Sequence, residues 1–371
     1  MSLSKEQAIH CAKVFSDYFD RFERIDDYIR DQKLNSLSER PTALFGMGPE
    51  DDLFSDFSIH PKDMDFELVE LPQDTWDIYL NMISSHSNMT SIPGRCLRLA
   101  VLEKKTKKWV GFIRLGSPVI NMKPRNEMLQ GVFTQTPESS KSFNHTSIMG
   151  FVIVPSQPFG FNYLGGKLLA AICCSHEIKE MLNKKYKMNT CLFETTSLYG
   201  SSKSSSQYDG MKPYLRFKGL TDSNFIPMMH GKPYEDLKQY VETAIGVFVP
   251  EDASSRKMKI SNTIIAMTKA ALKGTPEGEK FAKTIENALS LTEKKRYYAS
   301  NYGYSNFTDV VMGRTDKLIP DKENYDKFHL ESIIEWWKKK AQARYDNLKT
   351  EGRLRSEIEV WTGEKELDII R

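Results

Sequence analysis

The chain has 371 residues, enough for one large domain or two ordinary ones, and its 40% hydrophobic and 27% charged content is that of a water-soluble globular protein. A net charge of only +3 excludes a globally basic nucleic-acid coat, so any nucleic-acid surface must be local. No apolar run is long enough to span a bilayer and the first residues carry no apolar signal core, which implies a cytoplasmic protein without a membrane partner.

Residues 4 to 31 read as one amphipathic helix. Ser4 and Gln7 suit a capping box, and Ala8, Cys11, Phe15, Tyr18, Phe22, Ile25 and Ile29 recur in steps of three and four. Residues 32 to 75 read as an acidic, irregular linker. The aspartates there fit no calcium-loop spacing, and the five cysteines and seven histidines show no metal-ligand spacing either, so no metal site is expected. Asp74 to Met82 reads as a helix. Arg95 to Ser117 then alternates as a hairpin around the charged turn 103–108, and 121–142 reads as a long polar loop.

Ile148 to Val154 is the central strand, stopped by Pro155, which cannot donate to a sheet ladder. Gly165-Gly166-Lys167 opens a helical stretch that runs to Leu182, and the free amides of a helix start make an anion site. A second strand, Cys191 to Phe193, delivers Glu194, followed by Tyr199, a Ser-rich loop over 201–206, and Tyr208-Asp209-Gly210. Tyr214 to Thr221 closes the sheet. The last third is mainly helical: Asp236 to Ile245, Asn262 to Leu272, Glu277 to Leu291 and a long basic helix from Lys327 to Gly352. Lys295, Arg296 and Tyr297, and further on Lys338 and Lys339 beside Trp336 and Trp337, mix cations with aromatics, a composition suited to nucleic acid, DNA in particular, although charge runs are usually solvated faces.

The Walker loop is excluded because Leu168 follows Lys167, and the dinucleotide fingerprint is absent. The strand–glycine–helix unit resembles the pyrophosphate loop of the GNAT N-acyltransferases, although Gln157-x-x-Gly160 and Gly165-x-x-Leu168-Leu169 fit that signature only in two different registers. The middle of the chain also resembles the Druantia DruA-like family, which is associated with bacterial anti-phage islands. Gly111 to Pro118, Asn144 with Phe151 to Pro155, Leu192 to Thr195, and Tyr208 to Gly210 with Gly219 to Thr221 stand in for four family blocks in order. The layout is similar to the Mom-type DNA-modification enzymes as well.

These resemblances imply an α+β fold: a GNAT-like mixed sheet over residues 76–230, between an N-terminal helix and acidic linker (1–75) and a helical basic region (231–371). They imply acetyl-CoA or another acyl donor, its extended arm on the backbone of Ile153 and Val154 and its pyrophosphate on Gly165, Gly166 and Lys167. Glu194 is then the general base, or an ion-pair partner of Arg114. Tyr199 or Tyr208 is the acid for the leaving thiolate, and Asn144 joins the site as a family-block residue. A second reading is a DNA-binding defence or counter-defence protein without catalysis on the same scaffold. A third, a nuclease, needs Glu194 and Asp209 to pair in space.

Overall fold

The computed structural model describes residues 2–39, 49–86, 94–130, 136–197, 206–224, 228–253, 256–291, 294–362 and 367. Where the sequence suggests three consecutive segments, the chain forms two compact units, Met1–Ser36 with Ser223–Glu293, and Leu37–Asp222 with Lys294–Arg371.

The smaller unit is helical: α1 (Lys5–Phe19), most of α2 (Ile25–Glu39), α10 (Gly231–Ile245), α11 (Arg256–Ala271) and α12 (Pro276–Ser290). The capping box forms as expected: the Ser4 hydroxyl accepts from the Gln7 amide, and the Gln7 side chain accepts from the Ser4 amide. Ala8, Cys11, Phe15 and Tyr18 are buried, with Phe15 against Phe281 of α12 at 5.7 Å between ring centroids. The expected single helix is broken, however. Asp20 caps the end of α1, and the Asp27 carboxylate accepts from the Arg24 amide to start α2, so local side-chain capping overrides the continuous apolar stripe.

The larger unit is built on a seven-stranded mixed sheet in the order β1-β2-β3-β4-β5-β7-β6. The strands are β1 (Phe66–Glu70), β2 (Cys96–Glu103), β3 (Lys108–Gly116), β4 (Ser147–Pro155), β5 (Leu192–Ser197), β6 (Arg216–Asn224) and β7 (Lys294–Ser300). Its helices are α3 (Pro49–Asp52), α4 (Gln73–Ile83), α5 (Lys123–Met128), α6 (Pro137–Thr146), α7 (Phe159–Tyr163), α8 (Gly165–Ile172), α9 (His176–Tyr186), α13 (Phe307–Val311) and α14 (Leu330–Thr350). The α+β class, the hairpin and the central strand stand as expected. The linker 32–75 instead contains β1, antiparallel to β2, because Phe66 is buried in the main core. The polar loop 121–142 folds into α5 and the start of α6, each begun by a proline in its first turn, with the Thr136 hydroxyl capping α6. The helix after Gly165 stops at Cys173, and Ser175 caps a separate α9.

One face of the sheet buries Leu99, Ile113 and Leu115 with Leu168, Leu169 and Trp337 of α8 and α14. The other buries Ala100, Phe112 and Val152 against Trp76, Tyr79 and Leu80 of α4. Gly111 lets β3 and β4 approach beneath α8. A Cβ there would lie 2.8 Å from the Val154 carbonyl oxygen and 2.9 Å from the Pro155 Cα, backbone atoms that cannot swing aside. Gly111→Ala is therefore expected to cost about 1–3 kcal/mol, the usual range for overpacking, measured by chemical denaturation. An unchanged midpoint would show that the β3/β4 approach is not tight.

Candidate functional site

β4 and β5 run parallel but pair only from Ser147–Leu192 to Gly150–Thr195. Beyond that point they part. β4 continues along β3, with Ile153 opposite Ile113 and Val154 opposite Phe112, while β5 follows β7, with Thr196 opposite Tyr297 and Ser197 opposite Arg296. Among the described residues no backbone hydrogen bond links 151–155 to β5. Past Gly150 and Thr195 the Ile153–Val154 backbone is thus left without a β5 partner.

The start of α8 lies at the end of β4. A Cβ on Gly165 would be 3.0 Å from the Pro155 Cβ and 2.7 Å from the Phe159 ring, so glycine permits the helix to begin this close to the strand. The first-turn amides of Gly165 and Gly166 and the positive end of the helix dipole are at the strand terminus. Lys167 does not project freely from this turn. Its ammonium donates to the carbonyls of Gln207 (2.9 Å) and Asp209 (2.5 Å), and the Gln207 side chain packs against Gly166. Burial, and then the nearby Lys340 charge, lower the Lys167 pKa.

Glu194 lies on the opposite face of the sheet. It and Arg125 of α5 are both completely buried, with Nη1 2.7 Å from one carboxylate oxygen, while the Tyr297 hydroxyl donates to the other at 2.8 Å. The expected partner Arg114 is replaced by Arg125, which also donates to the Ile120 carbonyl and lies over the Phe143 ring. Burial raises the Glu194 pKa, opposed by the Arg125 charge and the two hydrogen bonds. Burial and the Glu194 charge hold the Tyr297 hydroxyl well above its ordinary value.

Tyr208 and Asp209 occupy the α8 face. Asp209 accepts from the Tyr298 hydroxyl (2.8 Å), the Ser206 amide (2.9 Å) and Arg296 (3.3 Å). Burial pushes its carboxyl up, and these partners together bring it below the ordinary value. Tyr208 is buried edge-on against Tyr298, and that burial raises its pKa. Successive strand residues point to opposite faces, so Tyr297 and Tyr298 carry Glu194 and Asp209 on opposite sides of the sheet. The carboxylate pair required by a nuclease is not brought together.

The same alternation separates Lys295, Arg296 and Tyr297, which cannot form one basic surface. Lys295 is partly buried, Arg296 pairs with Asp209, and Tyr297 is fully buried. Lys338 pairs with Glu335 on α14, beside the exposed Lys339. Asn144 is exposed on α6. Tyr199 and Ser201–Ser205 lie outside the described residues. Arg125 escaped the sequence reading because its partner is 69 positions away and nothing around it repeats.

The parting of β4 and β5 and Glu194 within β5 both fall in one stretch that resembles a known family. Residues 52–203 match the family described as Druantia protein DruA. That DruA match runs from the last residue of α3 through β5, including the blocks at Gly111–Pro118, Asn144–Pro155 and Leu192–Thr195, and stops before Tyr208 and Gly219–Thr221. No curated protein and no solved structure matches the chain. Among the described residues no group of three or more His, Cys, Asp or Glu could hold a metal ion, and no helix is long and apolar enough to cross a membrane.

Proposed function

We propose that this protein acts in anti-phage defence by binding an acyl thioester donor such as acetyl-CoA where β4 and β5 part and transferring its acyl group to a nucleobase amine in DNA. The observation that carries this reading is the parting of β4 and β5 after Gly150 and Thr195, with the start of α8 against Pro155 at the far end of β4. An open strand edge suits the amides of an extended arm, and a helix start at its end suits a pyrophosphate. In the transfer, the amine nitrogen bonds to the thioester carbonyl carbon, the C–S bond breaks, and the thiolate and the amine proton leave. In this reading Glu194, which pairs with Met149 one position before the strands part, takes that proton, and it does so only when Arg125 gives way. Tyr208, buried on the other face, is the acid in this reading and protonates the thiolate of a ligand threaded between the strands.

The complete burial of Glu194 in its ion pair and the commitment of Lys167 to two carbonyls favour a second reading. In it the scaffold binds nucleotide or nucleic acid without chemistry, and Glu194 serves the fold.

Thermal shift with acetyl-CoA tests the donor. Ligand at a hundred times Kd stabilises by about 2.7 kcal/mol, so the wild type should melt several degrees higher. Gly166→Asp places an anion in the first turn of α8, which the dipole tolerates but a pyrophosphate does not; the shift should vanish, with the ligand-free melting temperature lowered only by what moving the Gln207 side chain off the new Cβ costs. No shift at millimolar acetyl-CoA sinks the donor assignment and leaves the second reading.

A further inference from the structure

We infer that a nucleic-acid phosphate backbone docks along one face of α14, on Lys340 and Arg344 together with Arg355. This deepens the nucleic-acid half of the reading above. Trp336, Lys340 and Arg344 recur every four residues and so share one side of the helix. The Lys340 ammonium lies 5.5 Å from the centre of the Trp336 ring, and the Arg344 guanidinium 4.6 Å from that of Phe161. Arg355 lies over the same Phe161 ring at 4.2 Å. Phe161 belongs to α7, immediately before the glycines of α8, so this row of cations leads to the start of that helix.

The row is held in place. Arg344 Nε donates to the Phe161 carbonyl, and Asn162 exchanges hydrogen bonds with the Arg355 backbone in both directions. Trp336 and Phe161 are partly buried beneath the cations, so the rings orient the charges and leave phosphates, not bases, to be read. Between Trp336 and Arg355 stand seven cationic and two acidic side chains, in a chain whose net charge is only +3. Glu351 pairs with Arg353 and Glu359 with Arg355, whereas Lys340 and Arg344 have no carboxylate within ion-pair distance among the described residues. Burial, and then the like charge of Arg353, lower the Arg344 pKa, with Glu351 opposing and Arg355 adding a smaller repulsion.

The nucleotide end of a CoA molecule offers phosphates of the same chemistry, so the two sources are measured side by side. Fluorescence anisotropy with a labelled single-stranded oligonucleotide and with its duplex is compared for wild type, Lys340→Glu/Arg344→Glu and the control Lys280→Glu on α12. The double variant should bind at least one strand form at least tenfold more weakly. Its dependence of log Kd on log salt should flatten by roughly 0.7 per cation for a single strand. The control should match wild type; the double variant should stay folded, with Tm lowered only by the lost Arg344–Phe161 contacts, and acetyl-CoA affinity should be unchanged in both. Unchanged oligonucleotide affinity in the double variant, or no binding of either strand form by the wild type, overturns the proposal. So does a loss confined to CoA, which would assign the row to the small nucleotide. Gly166→Asp, which addresses the donor, should leave oligonucleotide binding intact, so the two assignments can fail separately.

Discussion

Arg125→Met is expected to destabilise the larger unit by about 3–5 kcal/mol, the cost of leaving a buried charge without its partner. Both side chains of the Arg125–Glu194 pair are fully buried, and the carboxylate keeps only the Tyr297 hydroxyl once the guanidinium is gone. Part of the loss belongs to Arg125 itself, which also ties down the Ile120 carbonyl and lies over Phe143. Adding Glu194→Gln removes the stranded charge, so the double variant should be less impaired than the sum of the two single ones. The pH dependence gives an independent check. Burial already raises the Glu194 pKa above its ordinary 4.5, and the Arg125 charge is the largest influence opposing that rise. Without Arg125 the folded-state pKa rises further, so the folded variant holds a proton more tightly than its unfolded chain. The penalty is complete above that raised pKa, where both states are ionised, and fades as pH falls through it towards 4.5. Urea denaturation at pH 8 and pH 5 should show the gap to wild type narrowing at pH 5. A gap that is constant or wider in acid would mean that Glu194 is not ionised against Arg125.

The catalytic readings depend on the same pair. A carboxylate that must shed a buried arginine before accepting a proton is a poor base at rest. If Arg125→Met binds acetyl-CoA as wild type does, the pair belongs to the fold or the proton transfer, and donor binding stands without it.

How far the sequence led can be judged residue by residue. The 95–117 hairpin and the 148–154 strand were legible because alternation and a closing Pro155 are local signals. The glycine start of α8 was legible too, since glycines at a helix start mark close approach, and Gly165 makes that approach to Pro155 and Phe159. The breaks after Phe19 and Cys173 were hidden because apolar spacing runs straight through them and outweighs the local caps at Asp27 and Ser175, each only three residues from the amide it accepts from. β7 misled for the opposite reason. Lys-Arg-Tyr-Tyr looks like a cationic, aromatic surface in one dimension, but on a strand its members alternate, and the tyrosines go to the core to meet Glu194 and Asp209. β5 runs from Leu192 to Ser197, so Glu194 sits inside the strand and not at its end as the Cys191–Phe193 reading expects, and its partner Arg125 lies in a segment without periodicity. The pairing of Arg344 and Arg355 over Phe161 joins positions far apart in the chain and leaves no local mark.

Trp336 and Trp337 are adjacent in sequence and should behave oppositely when truncated. Trp337 is fully buried, donates Nε1–H to the Tyr163 carbonyl at 2.8 Å, and meets Phe66 and Phe159 at ring-centroid distances of 5.1 and 6.3 Å. Trp337→Ala opens a cavity among these rings and orphans a carbonyl, at a cost of about 3–5 kcal/mol. Trp336 lies about 100° further round the helix, partly exposed at the edge of the core, against Tyr214 and beneath Lys340. Its truncation should cost less, about 0.5–2 kcal/mol in the ordinary range for single substitutions. It should instead weaken oligonucleotide binding, because Lys340 loses the ring that orients it. Urea denaturation paired with the anisotropy assay separates the two roles. Equal destabilisation by both substitutions, or unchanged oligonucleotide affinity in Trp336→Ala, would make both rings plain core and remove Trp336 from the α14 face. Core loss at Trp337 with affinity loss at Trp336 would mean that a single turn of α14 both anchors the sheet and presents cations to a phosphate backbone.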